Sequence, residues 1–479
     1  MSLGIREGSP ILRRGLRLIS LAAIAVLVVG ACGGSKSSGG GAVTVRWFVG
    51  LGSGTQPSQI DAQKKFVADY NKANKSIQIK LEIIPSSNAT DTLKTEMAAG
   101  NAPDIIGPVG VGGRNGFYGT LADLTKLASD NKFDLTQFPT DMVNILKQGD
   151  SLVSLPYAIY PAFILYNKDL FGHASLPDLP AKVGDKYNNA DWTWDEVKTI
   201  GMQLTLDANG KHPGETGFDA NSIVQFGLDF QYWDGRRIAS AFGTAGAQII
   251  AADGKTASFS DNFKAAVKYF YDGMWTSNFI PTGKYRSSDL LNNGATFASG
   301  KVAMNAANTW CLGGCYYGTQ GKTNMTSVDF AVMPSFNTVT AGPLDFDGFS
   351  ITKVSKHPTE AFKAMVAIMA SPALLSTYGS LPAIVSMRQA WEDGKTTEAK
   401  TFFSGVQTLQ WGAIADMANH PANPSHEGYV PNYTKAVTDY STMFTTLQNS
   451  AGLNVDDQLT ALQKVLQADF DAYTAPPLL

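Results

Sequence analysis

Ile77, Ile79, Leu81 and Ile83 alternate strictly with Gln78, Lys80 and Glu82. That is the two-residue period of a strand with one buried face. Its surroundings constrain it further. Val43 to Phe48 reads as an earlier strand, and Ile60, Phe66, Val67 and Tyr70 fall near helical spacing between them, over about 58–73. After the alternating strand, Leu93 and Met97 share the face of a second helix that Gly100 stops. Residues 101–106 then read as a turn and a third strand. Strand, helix, strand, helix, strand requires crossover connections, so the body opens as a largely parallel α/β sheet.

The chain has 479 residues, 44% of them apolar and only 16% charged, with a net charge of −3. A disordered or coiled-coil chain is excluded, and no basic surface for nucleic acid is implied. The length suits two or three domains' worth of core, or two large lobes. The first residues read as an address. Arg13, Arg14 and Arg17 precede an uncharged apolar run from Leu18 to Val29, too short for a bilayer span of about 20 residues but suited to a signal peptide. The run ends in Val29-Gly30-Ala31-Cys32, which resembles a bacterial lipobox and implies a lipidated Cys32. The alternative is ordinary cleavage near Ala31. Residues 33–41 form a Gly/Ser-rich tether. The expected molecule is extracytoplasmic and anchored to the outer face of the membrane. There, Cys311 and Cys315 are read as a local disulfide in preference to two free thiols.

Chemical motifs are sparse. The loop Gly50-Leu51-Gly52-Ser53-Gly54 lacks the Gly-Lys-Ser/Thr ending and the GxGxxG spacing of nucleotide loops, so it reads as a ligand loop at the carboxyl end of a strand. No HExxH or GxSxG is present. His420 and His426-Glu427 sit in a Pro- and Asn-rich loop and read as a polar surface, so no metal and no cofactor are expected. Aromatic residues beside amides and carboxylates carry more information: Trp47-Phe48, Tyr232-Trp233-Asp234, Asn308-Thr309-Trp310 and Tyr429 to Tyr433. An aromatic plate buries the C–H face of a sugar while amides and carboxylates bind its hydroxyls. Further on, Thr193 to Glu196 has capping-box spacing, Thr359 to Ala370 reads as a helix after Pro358, and a last helix starts at Asn454.

Ordered motifs then resemble one family, the extracellular solute-binding proteins of ABC importers, of the maltose-binding kind. They are Ala99 to Ile106, Leu155-Pro156-Tyr157 with Leu165 to Phe171, Thr193-Trp194-Asp195-Glu196, Phe297 to Met304 with Trp310, Val332-Met333-Pro334, and Asp347-Gly348-Phe349. The resemblance covers nearly all of residues 43–470. It implies a type II periplasmic-binding-protein fold: two α/β lobes, each a mixed, mostly parallel sheet flanked by helices, with a ligand cleft at the hinge. On that pattern 1–31 is the signal peptide, 32–42 the tether, 43–158 and 336–380 lobe 1, and 159–335 and 381–479 lobe 2. The implied function is capture of a mono- or oligosaccharide for membrane permease subunits by a monomeric, non-catalytic receptor. The implied or adjacent ligand residues are Trp47, Tyr160, Tyr232, Trp233, Asp234, Trp310, Asp347, Gly348 and Tyr429. Residues 107–114 depart from the maltose binder. A sugar-phosphate-like ligand, a glycan-processing surface enzyme and a sensor subunit are the alternatives.

Overall fold

The computed structural model describes residues 41–473 apart from 118, 231, 292–294, 313–315, 318–323 and 379. The leader, Cys32 and the tether lie outside the described residues. So does the Cys311–Cys315 pair, because Cys315 and the Cys311 side chain are not described.

The principal strands are β1 (Val43–Val49), β2 (Ile77–Ile83), β3 (Ile105–Gly110), β4 (Leu155–Asn167), β5 (Ile223–Asp229), β6 (Val302–Asn308), β7 (Val328–Ala331) and β8 (Leu344–Ile351). They join in a 10-stranded sheet of order β2-β1-β3-β8-β4-β6-β5, extended by Leu206–Asp207. β1 runs parallel to β2 and β3, as the crossover pattern requires. The helices Pro57–Ala73 and Ser86–Ala98 make those crossovers. β5 and β6 are likewise parallel, while β8 and β6 both run antiparallel to β4. The sheet is therefore mixed, with a parallel group at each end.

β4 connects the two ends. All of its residues are buried, so it reads as an unbroken apolar run and not as an alternating strand. Its first half, from Leu155 to Pro161, pairs with β8. Its second half, from Ala162 to Tyr166, pairs with β6, and β7 pairs along Ile164 to Asn167. Leu381–Pro382 returns to pair with Ala158 and Ile159. Asn308 at the end of β6 locks this region. Its side-chain amide donates to the carbonyls of Tyr160 (2.7 Å) and Pro343 (3.2 Å).

Local signals set the helix ends. The Thr193 hydroxyl accepts from the Glu196 amide and starts helix Trp194–Leu204. The same helix buries Trp194, which lies flat on Phe242 at 4.9 Å and 6°. Asn454 caps Val455–Asp471 in the same manner, accepting from Asp456 and Asp457. No described helix is long and apolar enough by itself to cross a membrane.

A charged pair holds the far end of β5. The Asp229 carboxylate is fully buried. It accepts from Arg286 Nε (2.9 Å) and from the Thr296 hydroxyl (2.6 Å). Removing the cation would leave a buried charge uncompensated, which typically costs about 3–5 kcal/mol. Arg286→Leu is therefore expected to lower unfolding free energy by that order in urea titration. A loss under about 1 kcal/mol would mean that the pair is solvated.

Candidate functional site

Four segments converge beside the middle of β4. The glycine loop after β1 supplies Leu51 to Gln56, and the end of β3 supplies Gly110 and Gly113. β4 brings Tyr160, and β8 brings Asp345, Phe346 and Asp347. Arg237, Trp310, Tyr378 and Glu427 complete a cleft of about 460 Å³. That volume is in the range of small-molecule sites.

The loop is held in shape by its own helix. Gln59 Oε1 accepts from the amides of Gly54 (2.8 Å) and Gln56 (3.2 Å), and Gln63 Nε2 donates to the Gly54 carbonyl (2.9 Å). Gly54 has φ +115°, and a β-carbon there would sit 2.5 Å from Val49 Cγ1, so only glycine fits. Ser53 is thereby turned toward the cleft floor, where its hydroxyl donates to Asp347 Oδ2. The Tyr160 hydroxyl donates to the same oxygen at 3.0 Å.

Asp345 lies two residues before Asp347 and therefore on the same face of β8. It collects three donors: Arg237 NH2 at 2.9 Å and His426 Nε2 at 2.8 Å on Oδ1, and the Trp310 indole N–H at 3.0 Å on Oδ2. Burial alone would raise its pKa, but Arg237 and then His426 outweigh burial and hold it below the usual carboxylate range. Asp347 behaves oppositely. Burial raises its pKa, and hydrogen bonds from Ser53 and Tyr160 offset this only in part. Burial also raises Glu427, reinforced by the charge of Asp345 and opposed by His426 and Arg237. Asp345, His426 and Glu427 offer ligand atoms within 4.8 Å of one another. Because Arg237 already shares Asp345 Oδ1 with His426, this group reads as a charge network and not as a metal centre.

Trp310 is half-buried, and its indole edge is fixed by Asp345. Tyr232 lies 5.8 Å from it at 64°, and Tyr316 lies 6.2 Å from it. Tyr232 is 45% exposed and has φ +67°. A non-glycine residue in that region costs on the order of 1–3 kcal/mol, and such strain gathers at functional positions.

The expected site residues therefore separate into groups. Tyr160, Trp310 and Asp347 line the cleft, and Tyr232 packs on Trp310. Asp234 sits just behind, capping helix Gly235–Ser240 and pairing with Arg237 at 3.3 Å. The others lie away from the cleft wall. Trp47 is fully buried between Phe66 and Phe349, with its N–H on the Gly107 carbonyl. Trp233 is buried against Phe230. Gly348 lets β8 approach β4, since a β-carbon there would meet Ser154 Oγ at 2.4 Å. The Tyr429 ring packs on Tyr473. Asp345 and Arg237 were not anticipated, and the same-face pairing of Asp345 with Asp347 was the one local signal for them. Ser53 lies in the loop read as a ligand loop. His426 and Glu427, read as polar surface, are instead drawn inward: His426 is buried on Asp345 and Glu427 lines the cleft.

The family of bacterial extracellular solute-binding proteins matches residues 56–373. Solved structures share the fold at low identity. An ABC substrate-binding protein of Listeria monocytogenes in complex with cycloalternan is 19% identical, with 89% of this chain and 98% of that one covered, at a TM-score of 0.61. The cyclic α-maltosyl-1,6-maltose binding protein of Arthrobacter globiformis is also 19% identical, with 90% and 99% covered, at 0.63. The sugar-binding protein MalE of Xanthomonas citri is 15% identical, with 90% and 98% covered, at 0.63. These are two-lobe binding proteins with mixed sheets flanked by helices, and this chain has their fold. A cleft walled by a glycine loop, two strand ends and an anchored tryptophan, in a chain matched over most of its body, makes this protein a member of the bacterial extracellular solute-binding proteins, a receptor and not an enzyme.

Proposed function

We propose that this chain is the carbohydrate-binding component of an ABC importer, a monomer held at the outer face of the membrane by lipidated Cys32. It closes over a mono- or oligosaccharide and presents the closed form to permease subunits. Lobe 1 is residues 43–158 and 336–380, and lobe 2 is 159–335 and 381–479. The observation that carries the reading is Trp310: a half-buried indole fixed edge-on by a buried carboxylate, its neighbours Tyr232 and Tyr316, and Ser53, Tyr160 and Asp347 lining the same cleft. An aromatic face opposite hydroxyl-binding groups suits a sugar ring. The solved relatives with bound or named cyclic glucans and maltodextrins support the same ligand class. A phosphorylated sugar is disfavoured, because the lining carboxylates outnumber Arg237, which is already paired.

A thermal-shift screen against a saccharide panel tests this directly. A ligand at 100 times its Kd stabilises by about 2.7 kcal/mol. Stabilisation by no saccharide, together with stabilisation by amino acids or peptides, would overturn the ligand class.

Truncating a buried aromatic anchor costs on the order of 2 kcal/mol or more, at least roughly thirtyfold in Kd. Trp310→Ala is expected to weaken calorimetric saccharide binding by that factor. It also strips a donor from buried Asp345, so the free protein should lose about 1–3 kcal/mol. Trp310→Phe should keep most of the affinity. Unchanged affinity in the alanine variant would remove the stacking role.

Asp347 trades stability for binding. Its pKa is raised in the fold, so its contribution is most favourable at or below the ordinary carboxylate value of about 3.9 and declines as pH rises through the folded pKa. Asp347→Asn should therefore melt higher than the parent at pH 7, with the difference vanishing near pH 3, and should bind saccharide more weakly. A lower melting temperature at pH 7 would contradict this.

Cys32→Ser is expected to abolish metabolic labelling with palmitate and to leave the protein uncleaved or released. Membrane retention of a signal-cleaved mutant would exclude the lipid anchor.

A further inference from the structure

The cleft charges do not balance. Asp345, Asp347 and Glu427 line it with one cationic side chain, Arg237. Arg237 is already committed, at 2.9 Å to Asp345 and 3.3 Å to Asp234. Asp345 is satisfied by Arg237, His426 and Trp310. Asp347, which is more than nine-tenths buried, accepts from neutral donors, the Ser53 and Tyr160 hydroxyls and the Ser53 backbone, and forms no ion pair among the described residues. Glu427 also forms none, and its Oε2 is buried without a hydrogen-bond partner. Arg114, Arg237 and the preceding residue His426 act on Glu427 without reaching ion-pair distance of it.

The two uncompensated carboxylates converge on one point. A β-carbon on Gly110 would have as its three nearest neighbours the Phe346 carbonyl (3.5 Å), Glu427 Oε1 (3.6 Å) and Asp347 Oδ1 (3.8 Å). All three are oxygen atoms, and two belong to carboxyl groups. A sugar hydroxyl brings one donor and two lone pairs to such a place. A primary ammonium brings three donors, no lone pair and the missing positive charge.

Resting on the saccharide reading above, we propose that the ligand carries a protonated amine, a free-amine aminosugar unit, seated over Gly110 between Asp347 and Glu427. Gly110 is glycine because a side chain would fill that seat. Its backbone, φ −68° and ψ 164°, admits any residue, and the nearest atoms stand at ordinary contact distance, so Gly110→Ala will fold.

The experiment is calorimetric titration of the purified protein at pH 7 with matched sugars. One set is glucosamine, galactosamine and chitosan di- and trisaccharides. The others are the N-acetylated counterparts and the neutral counterparts glucose, galactose and cello-oligosaccharides. The free-amine set is expected to bind at least tenfold tighter than both others. Gly110→Ala and Glu427→Gln are each expected to erase that preference, lowering affinity for the free-amine set at least tenfold more than affinity for the neutral set. Melts of both variants confirm folding. Equal or tighter binding of neutral or N-acetylated sugars overturns the amine and leaves the saccharide receptor intact. Binding of no saccharide in a broad panel overturns both. Calcium alone binding at the wild-type site and lost in Glu427→Gln would give these acceptors to a metal and overturn the amine.

Discussion

A buried carboxylate organises this molecule's cleft. Asp345 sits in the strand that returns alongside β4, and its charge is tolerated only because Arg237, His426 and Trp310 all reach it. These donors come from three separate stretches of chain. Satisfying one charge therefore draws together the helix after β5, the segment after β6 and the late loop. It also sets the Trp310 ring at a fixed edge. Breaking such a pair by removing one partner typically costs several kcal/mol, so the charge network and the placement of the Trp310 ring stand or fall together.

Two residues further along the same strand, the opposite choice is made. Asp347 faces the same side with hydroxyls and no cation. Its pKa rises instead of falling, because burial disfavours the charged form more than the hydroxyls favour it. Glu427, beside the same point over Gly110, is raised by burial as well and leaves Oε2 without a hydrogen-bond partner. Buried carboxyl groups without a cation destabilise the free protein unless a donor reaches them. The strained backbone of Tyr232 fits the same pattern.

Much of the frame was legible along the chain. The alternation at Ile77–Ile83 and the helix starts at Thr193 and Asn454 are local signals, and each fixes an element within a residue or two. The order of weak motifs added the two-lobe arrangement. Aromatic identity was a poorer guide. Trp47 and Trp233 have the same neighbours in kind as Trp310, yet they face the core, because side chemistry does not reveal which face of an element meets the cleft. The charge network was largely illegible. Asp345 meets His426 across 81 residues and Arg237 across 108, and no local pattern encodes those distances. Only the i, i+2 spacing of Asp345 and Asp347 pointed toward a shared polar face.

The account's central claim is where ligand sits. Hydrogen–deuterium exchange with and without the saccharide that gives the largest thermal shift tests it most directly. Protection is expected at the glycine loop 51–56, at 110–116, around Trp310, and across 345–347 and 425–429. The groove lined by Asn144, Gly243 and 419–423 should exchange unchanged. Saturable binding with protection confined to that groove, or spread evenly with none at the glycine loop, would contradict the account.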